Sequence, residues 1–265
     1  MQFSFCLNQL LSLRGHIGNL LKRSALNNVN ILYGRKHLIT VLDLRISLTI
    51  LKKTLTLFKS NTLNNGLSAI SIPDSIAFFY IKKFNIYKNL PNINLIAYSR
   101  WFGGFLTNFK TTKVFLRKVN KELMKNIDGT GKARLLRRLK RRFFSFLHFK
   151  KPPNLIFATN INKNLWIQRE SDTVNIPVIA LADANTTVNG CSYIIPSNYD
   201  SNILICFLSS LYISSVFIAN SERRIFFRKK IITKKKIIKI KKNRIKKKVK
   251  LNFSRYFFDK KAKHV

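Results

Sequence analysis

Acidic side chains are scarce in this chain: ten Asp and Glu stand against fifty Lys and Arg, a formal charge of +40 over 265 residues. An imbalance of that size opposes compaction until a dense anionic partner neutralises it, which points to RNA, DNA or an anionic membrane. Cysteine is nearly missing too. Cys6, Cys191 and Cys206 form an odd, scattered set with no CxxC pair, which excludes a disulfide framework and fits a reducing compartment. His16, His37, His148 and His264 are equally dispersed, so neither a zinc site nor any other cofactor is expected. Nine Gly and six Pro exclude collagen-like or Pro/Gly-rich low-complexity chain. No GxGxxG follows a strand, no GxxxxGK[ST] phosphate loop is present, and no nucleophile pairs with His or carboxylate at a known spacing. These absences argue against an enzyme and against a small-molecule substrate. The opening MQFSFCLNQLLSL carries no cation before Arg14, whereas transit peptides are Arg-rich from the start and secretory leaders have a basic n-region. The expectation is a protein made in the compartment where it works.

What is present is a core. Hydrophobic residues make up 46% of the chain and include 22 Phe, enough apolar surface to offset chain entropy beneath the charge. The length suits one α/β domain with an insertion and a tail. The abundance of Lys, Asn, Ile and Phe is also what an AT-rich coding sequence produces, so mutational bias accounts for part of the basicity.

Leu38 to Leu44 (LITVLDL) reads as a buried strand, and RISLTILKKTLTLF after it as a helix, with Ile46, Ile50 or Leu51, Leu55 and Phe58 at helical spacing. SIAFFYIKK (75 to 83), LIAYS (95 to 99), LIFAT (155 to 159), PVIALAD (177 to 183) and CSYIIP (191 to 196) read as further strands. Strands separated by helix-length segments predict a mostly parallel sheet with helices on both faces. Residues 110 to 151 break this rhythm with fifteen Lys/Arg and two acids. Phe115, Val119, Leu123 and Ile127 step by four, the turn-like Asp128-Gly129-Thr130-Gly131 intervenes, and Leu135, Leu139, Phe143 and Phe146 follow. That pattern predicts a two-helix hairpin with an apolar seam and a basic exterior.

Ile203 to Ala219 is an uncharged run of 17 residues, at the lower edge of a membrane-crossing length. Ser209, Ser210, Ser214 and Ser215 dilute it, and a sheet needs a helix after its last strand, so a core helix is expected and no membrane span. From Arg223 to Val265 there are twenty Lys/Arg and the single acid Asp259, a basic extension whose self-repulsion favours ordering only on an anionic partner. The expected partition is residues 1–109 and 152–222 as two parts of one α/β domain, 110–151 as an inserted hairpin and 223–265 as the extension.

The most specific stretch is RWFGGFLTNFKTTK, Arg100 to Lys113. Gly103-Gly104 permit a tight turn, Trp101 and Phe102 can anchor it, and Thr107, Asn108, Lys110 and Lys113 supply donors suited to phosphate and ribose. A glycine turn pinned by an aromatic explains the glycines and Trp101 about equally well.

This segment resembles the S-two family of small-subunit ribosomal proteins, whose characteristic stretch reads RWLGG, a hydrophobic residue, LTN, an aromatic and KT. Arg100, Trp101, Gly103, Gly104, Leu106, Thr107, Asn108, Lys110 and Thr111 match it. LRGHIGN (Leu13 to Asn19) is similar to the family's H-x-G-H element through His16 and Gly18, with Asn19 where a second histidine is usual. Tyr33-Gly34-Arg35 and LITVLDL align in order, as do NIPVIALADAN (Asn175 to Asn185) and YIIPSNYDSN (Tyr193 to Asn202). The resemblance runs from about Leu7 to about Ala219. Three departures stand out: Lys150-Lys151-Pro152-Pro153 replaces a Gly-Gly, Asn160 replaces an aspartate, and the hairpin is shorter than in bacterial relatives.

The resemblance implies an α/β, flavodoxin-like, mostly parallel sheet with a protruding helical hairpin, on the solvent side of the small subunit near its head-body junction. It also implies a structural role as a late-joining constituent of the small ribosomal subunit. Its partners would be small-subunit ribosomal RNA and neighbouring ribosomal proteins. The expected RNA contacts are His16, Arg35, Arg100, Thr107, Asn108, Lys110, Lys113, Arg117, Lys118, Arg137, Arg138, Arg141, Arg142, Arg223, Arg224, Lys234, Lys235 and Lys236. Composition and the missing import signal point to a mitochondrion; a plastid or bacterial cytoplasm is the alternative location, and a non-ribosomal RNA-binding factor of an organelle the alternative function. An enzyme of this fold could use Asp43, Asp183 and Asp200 as ribose or metal ligands, but a turn-fixing or capping role suits Asp183 at a strand end better.

Overall fold

The computed structural model describes residues 7–20, 30–83, 90–96, 101–125, 139, 143 and 145–228. The chain divides into two compact units, Met1–Ala219 and Asn220–Val265. The first begins with α1 (Leu7–Ser12), β1 (Ile17–Leu20), β2 (Leu32–Lys36), β3 (Ile39–Leu42) and α2 (Leu44–Leu63). Then come β4 (Ser68–Ser71), α3 (Ser75–Lys83), β5 (Ile93–Ile96), α4 (Phe109–Lys125), β6 (Leu155–Ala158), α5 (Leu165–Val174), β7 (Val178–Ala182) and β8 (Tyr193–Pro196). The helix α6 (Asn202–Arg228) follows. Its residues from Asn220 onward belong to the second unit, which is helical as far as Arg228.

Five strands form a parallel sheet in the order β5-β4-β6-β7-β8. Counted along the chain this is second-first-third-fourth-fifth, the flavodoxin-like doubly wound order. The strands are buried on both faces, so their side chains sort by period two. Ile70, Phe157, Ile179, Leu181 and Ile195 join a core with Leu51, Leu55 and Phe58 of α2 and Leu204, Leu208, Tyr212 and Val216 of α6. Ala69, Ile156, Ala158, Val178 and Ala180 face the other way, toward Trp101, Phe105, Leu106, Leu116, Phe143, Phe146, Phe149 and Ile167. Small residues on the second face leave room for the aromatic rings stacked there.

The helix expected after LITVLDL is α2. Asp43 caps it by accepting from the Arg45 N–H at 2.8 Å, and its buried positions, Leu44, Ser47, Leu51, Leu55, Phe58 and Thr62, keep helical spacing. α6 is long and apolar enough to cross a membrane by length and composition, yet half of its most apolar window is buried inside the fold. The Tyr212 ring lies 4.6 Å from Phe58 and 4.2 Å from Phe157, and its hydroxyl pairs with Thr54 Oγ1 at 2.7 Å. Burial pushes that phenol well above its ordinary range. Of the serines that dilute the run, Ser210, Ser214 and Ser215 each bond a carbonyl three residues back, while the buried Ser209 hydroxyl has no partner among the described residues.

Three expectations need correction. SIAFFYIKK is the helix α3 and not a strand, with Ala77 and Ile81 buried and Ile76, Phe79 and Tyr80 exposed. A short apolar run carries no period by itself; the strand is Ser68–Ser71, whose small polar residues give no strand signal although all four are buried. LITVLDL does contain a strand, β3, but it lies in a separate antiparallel sheet ordered β1-β3-β2. The hairpin turn at His37, with φ 56°, returns β2 onto β3. The strand expected at LIAYS starts earlier, at Ile93, and Ala97 to Ser99 lie outside the described residues. In the basic segment, α4 forms as expected, the Phe115 ring meets Phe143 edge-on at 6.0 Å as the apolar seam requires, and Leu116, Phe143 and Phe146 are buried. The Asp128–Gly131 turn, Leu135 and the extension beyond Arg228 lie outside the described residues.

Candidate nucleic-acid interface

The glycine turn is held from below by α5. Glu170, 5% exposed, accepts from the Trp101 indole N–H at 3.1 Å and the Gly104 N–H at 2.7 Å through Oε1, and from the Leu106 N–H at 2.8 Å through Oε2. Asn164 Oδ1 takes the Trp101 backbone N–H at 3.1 Å. A carboxylate can accept several such donors at once, and charge-assisted bonds are the stronger kind. The Trp101 ring packs edge-on against Phe105 and Phe146 at 5.5 and 5.6 Å. Gly104 sits at φ +82°, a conformation that favours glycine. The glycine turn is thus pinned by an aromatic, and its pinning fixes where α4 starts.

The chain leaves that turn at Asn108, whose carbonyl accepts from the Thr112 N–H at 3.0 Å, the first bond of α4. Thr107, Asn108 and Lys110 are exposed. Along α4, Lys110, Lys113, Arg117 and Lys121 recur at steps of three, four and four, so they share one face, while Thr112, Leu116 and Val119 bury the opposite one. Arg117, Lys118 and Lys121 are exposed. Lys113 is half-buried; its ammonium lies 5.6 Å from the Phe109 ring centroid and donates to the Lys150 carbonyl, tying α4 to the segment before β6. It therefore serves the body more than a ligand.

The remaining predicted contacts do not converge on α4. Arg35 is exposed on β2 of the small sheet. His16 is half-buried in the turn before β1: its carbonyl accepts from Leu42 N–H at 2.9 Å and its Nδ1 is shielded without a partner among the described residues. Arg223 is half-buried and Arg224 exposed near the end of α6. Arg100, Arg137, Arg138, Arg141, Arg142, Lys234, Lys235 and Lys236 lie outside the described residues.

A second buried carboxylate fastens the small sheet to the large one. Asp183, 1% exposed after β7, accepts from the Asn19 N–H at 2.6 Å and the Ala184 N–H at 2.7 Å, and Thr40 Oγ1 lies 3.4 Å away. Burial raises its pKa, and the bonds from Asn19, Ala184 and Thr40 pull it back. A Cβ on Gly18 would meet Thr40 Oγ1 at 2.1 Å and Asp183 Oδ1 at 2.4 Å, so β1 can approach only as glycine there. Asn19, at the position where the resembled family has histidine, donates to the Tyr199 hydroxyl at 2.8 Å. Thus Asp183 fixes a turn and a docked strand, and Asp43 is a helix cap; among the described residues no three His, Cys, Asp or Glu side chains gather as metal ligands. The thiols of Cys191 and Cys206 are pushed up by burial, that of Cys191 to about 11, which leaves them protonated and unreactive at neutral pH.

Reading along the chain misses Glu170 and Asn164. Their one sequence signal is that Glu170 is among very few acids in so basic a protein.

The family model described as Ribosomal protein S2 matches residues 10–218. The small ribosomal subunit protein uS2 of Methylorubrum extorquens is 29% identical over 226 residues, 80% of this chain and 61% of that protein. The uS2 of Bartonella quintana is 28% identical over 221 residues, 78% of this chain and 83% of that protein. That of Ehrlichia ruminantium reaches 35% over 112 residues, 39% of each. The chain thus spans about three fifths of the Methylorubrum protein's length (61%). The doubly wound sheet, the glycine turn with its buried clamp and the match across most of the chain lead to one assignment: it belongs to the ribosomal protein S2 family, a family of ribosomal proteins and not of enzymes.

Proposed function

We propose that this protein is a structural constituent of the small ribosomal subunit that binds ribosomal RNA, and that it works in a mitochondrion. The observation that carries the RNA reading is the cationic face of α4, Lys110, Arg117 and Lys121 with Lys118 beside it, mounted on the body by the Trp101–Glu170 clamp. A rigid body that presents cations at fixed spacing suits the phosphates of folded RNA, whose binding is driven by counterion release and whose specificity comes from shape. Arg35 and the cations from Arg223 onward add charge elsewhere on the chain. The relatives named above are bacterial; the mitochondrial reading rests on the Lys-, Asn-, Ile- and Phe-rich composition. Neighbouring ribosomal proteins are the other expected partners.

The test is sedimentation of the tagged chain from mitochondrial extract over rising salt. Retention in small subunits at salt concentrations that strip the free protein from naked RNA supports the proposal. Absence from small subunits at low salt refutes it.

A further inference from the structure

The chain has two tryptophans, and they are used in opposite ways. Trp101 is 4% exposed and bonded to Glu170; Trp166 is 55% exposed, in the first turn of α5. The Arg169 guanidinium carbon lies over the Trp166 ring, 5.4 Å from its centroid. α5 is anchored by Asn164, Ile167, Gln168, Glu170 and Ser171, all buried, so Trp166 and Arg169 project from the side the core does not use. Glu170, one helical turn beyond Trp166, holds the Gly104 and Leu106 backbone. The helix that carries the indole is thus the one that holds the turn before α4. Lys163, the next cation toward the N-terminus, is already paired with Asp74.

We propose that Trp166 is a stacking platform for an unpaired RNA base, with Arg169 backing the ring. A large aromatic surface left more than half in water contributes nothing to the core, and an indole with a cation on one face offers the other to a second flat, polarisable ring. Unpaired bases stack on such side chains without regard to sequence, whereas bases inside a duplex are not available to them. The chain as a whole carries +40, which favours a polyanion as partner. The site lies outside the cationic face of α4 and adds a contact that phosphate neutralisation alone cannot supply. The proposal rests on the RNA-binding reading above.

The experiment uses the full chain, a 12-nucleotide oligouridine and a 12-base-pair RNA duplex, and follows tryptophan emission and affinity across a salt series. Stacking predicts that oligouridine quenches the emission and the duplex does not, and that Trp166→Phe, which leaves only the buried Trp101 to report, abolishes the quenching. Trp166→Ala should weaken oligouridine binding roughly 5- to 150-fold, the range for one base stacked on one aromatic ring. Its salt dependence and duplex affinity should stay as in the parent, and Trp166→Phe should retain most of the oligouridine affinity. Equal loss on both RNAs, or no quenching, overturns the platform. If Trp166→Ala binds both RNAs normally yet falls from small subunits more readily, the ring contacts a protein instead, and the proposal is again overturned. In either case retention of the parent chain in small subunits would leave the ribosomal reading standing.

Discussion

Removing the Glu170 carboxylate should unseat the glycine turn, and the cost can be worked from its partners. Three N–H groups, from the Trp101 indole, Gly104 and Leu106, converge on its two oxygens at 3.1, 2.7 and 2.8 Å. Glu170→Ala leaves all three donors unbonded in a place where Trp101 is 4% and Leu106 4% exposed. An orphaned buried donor costs about 1–3 kcal/mol, so three independent ones would cost about 3–9 kcal/mol. Water entering the vacated space recovers part of this, and about 3–5 kcal/mol is expected. Against a typical total of about 5–15 kcal/mol that is a severe loss. Glu170→Gln retains one acceptor oxygen but turns an amide N–H toward a donor, and should cost about 1–3 kcal/mol. Urea denaturation of the full chain, followed by circular dichroism and by tryptophan emission, measures both variants. The order Ala worse than Gln worse than parent is required, with Trp101 emission shifted to the red. A loss below about 1 kcal/mol for Glu170→Ala would show that the turn does not depend on this carboxylate.

The Asp183 carboxylate is held above the ordinary value of 3.8 chiefly by burial, so the folded state keeps its proton to higher pH than the unfolded chain does. Stability from this group therefore falls as pH rises from the unfolded value through the raised folded one, and Asp183→Asn should flatten that part of a stability–pH curve measured by chemical denaturation. Gly18→Ala forces a methyl against Thr40 and Asp183; an overpacking cost of about 1–3 kcal/mol, at about 2–4 °C per kcal/mol for a domain of this size, should appear as a lowered melting temperature, and an unchanged melt would mean that β1 does not seat on Asp183. Tyr212→Phe leaves the ring stack intact and removes the bond to Thr54, so a loss of about 1 kcal/mol is expected by urea titration. Replacing Lys110, Arg117 and Lys121 together by Ala should reduce the salt slope of RNA binding by roughly 2–3, at about 0.7–0.9 per phosphate contact, with circular dichroism unchanged; an unaltered slope would remove α4 from the interface.

Long, uninterrupted patterns were legible along the chain. The helical spacing of Ile46, Ile50 or Leu51, Leu55 and Phe58 marks α2, the apolar runs PVIALAD and CSYIIP mark β7 and β8, and the charge-free run from Ile203 marks α6, because each signal is written in neighbouring residues and needs no partner to be read. RWFGG marked a turn of special geometry for the same reason. SIAFFYIKK misleads because nine residues, six of them apolar or aromatic, fit a helix and a strand alike. Only the three-dimensional packing showed that Ala77 and Ile81 go inward together. Likewise SAIS, weakly hydrophobic, becomes an interior strand because β5 and β6 flank it and supply its hydrogen bonds.

The sequence by itself determined the charge, the core composition and the helical cationic face of α4, since these depend on residue type and local spacing. Tertiary structure alone decided that Glu170 grips a turn 64 to 69 residues away and that Asp183 receives a strand 164 residues away. Those contacts arise when the folded sheet brings distant backbone N–H groups to a buried carboxylate, and no local pattern records which donors will arrive.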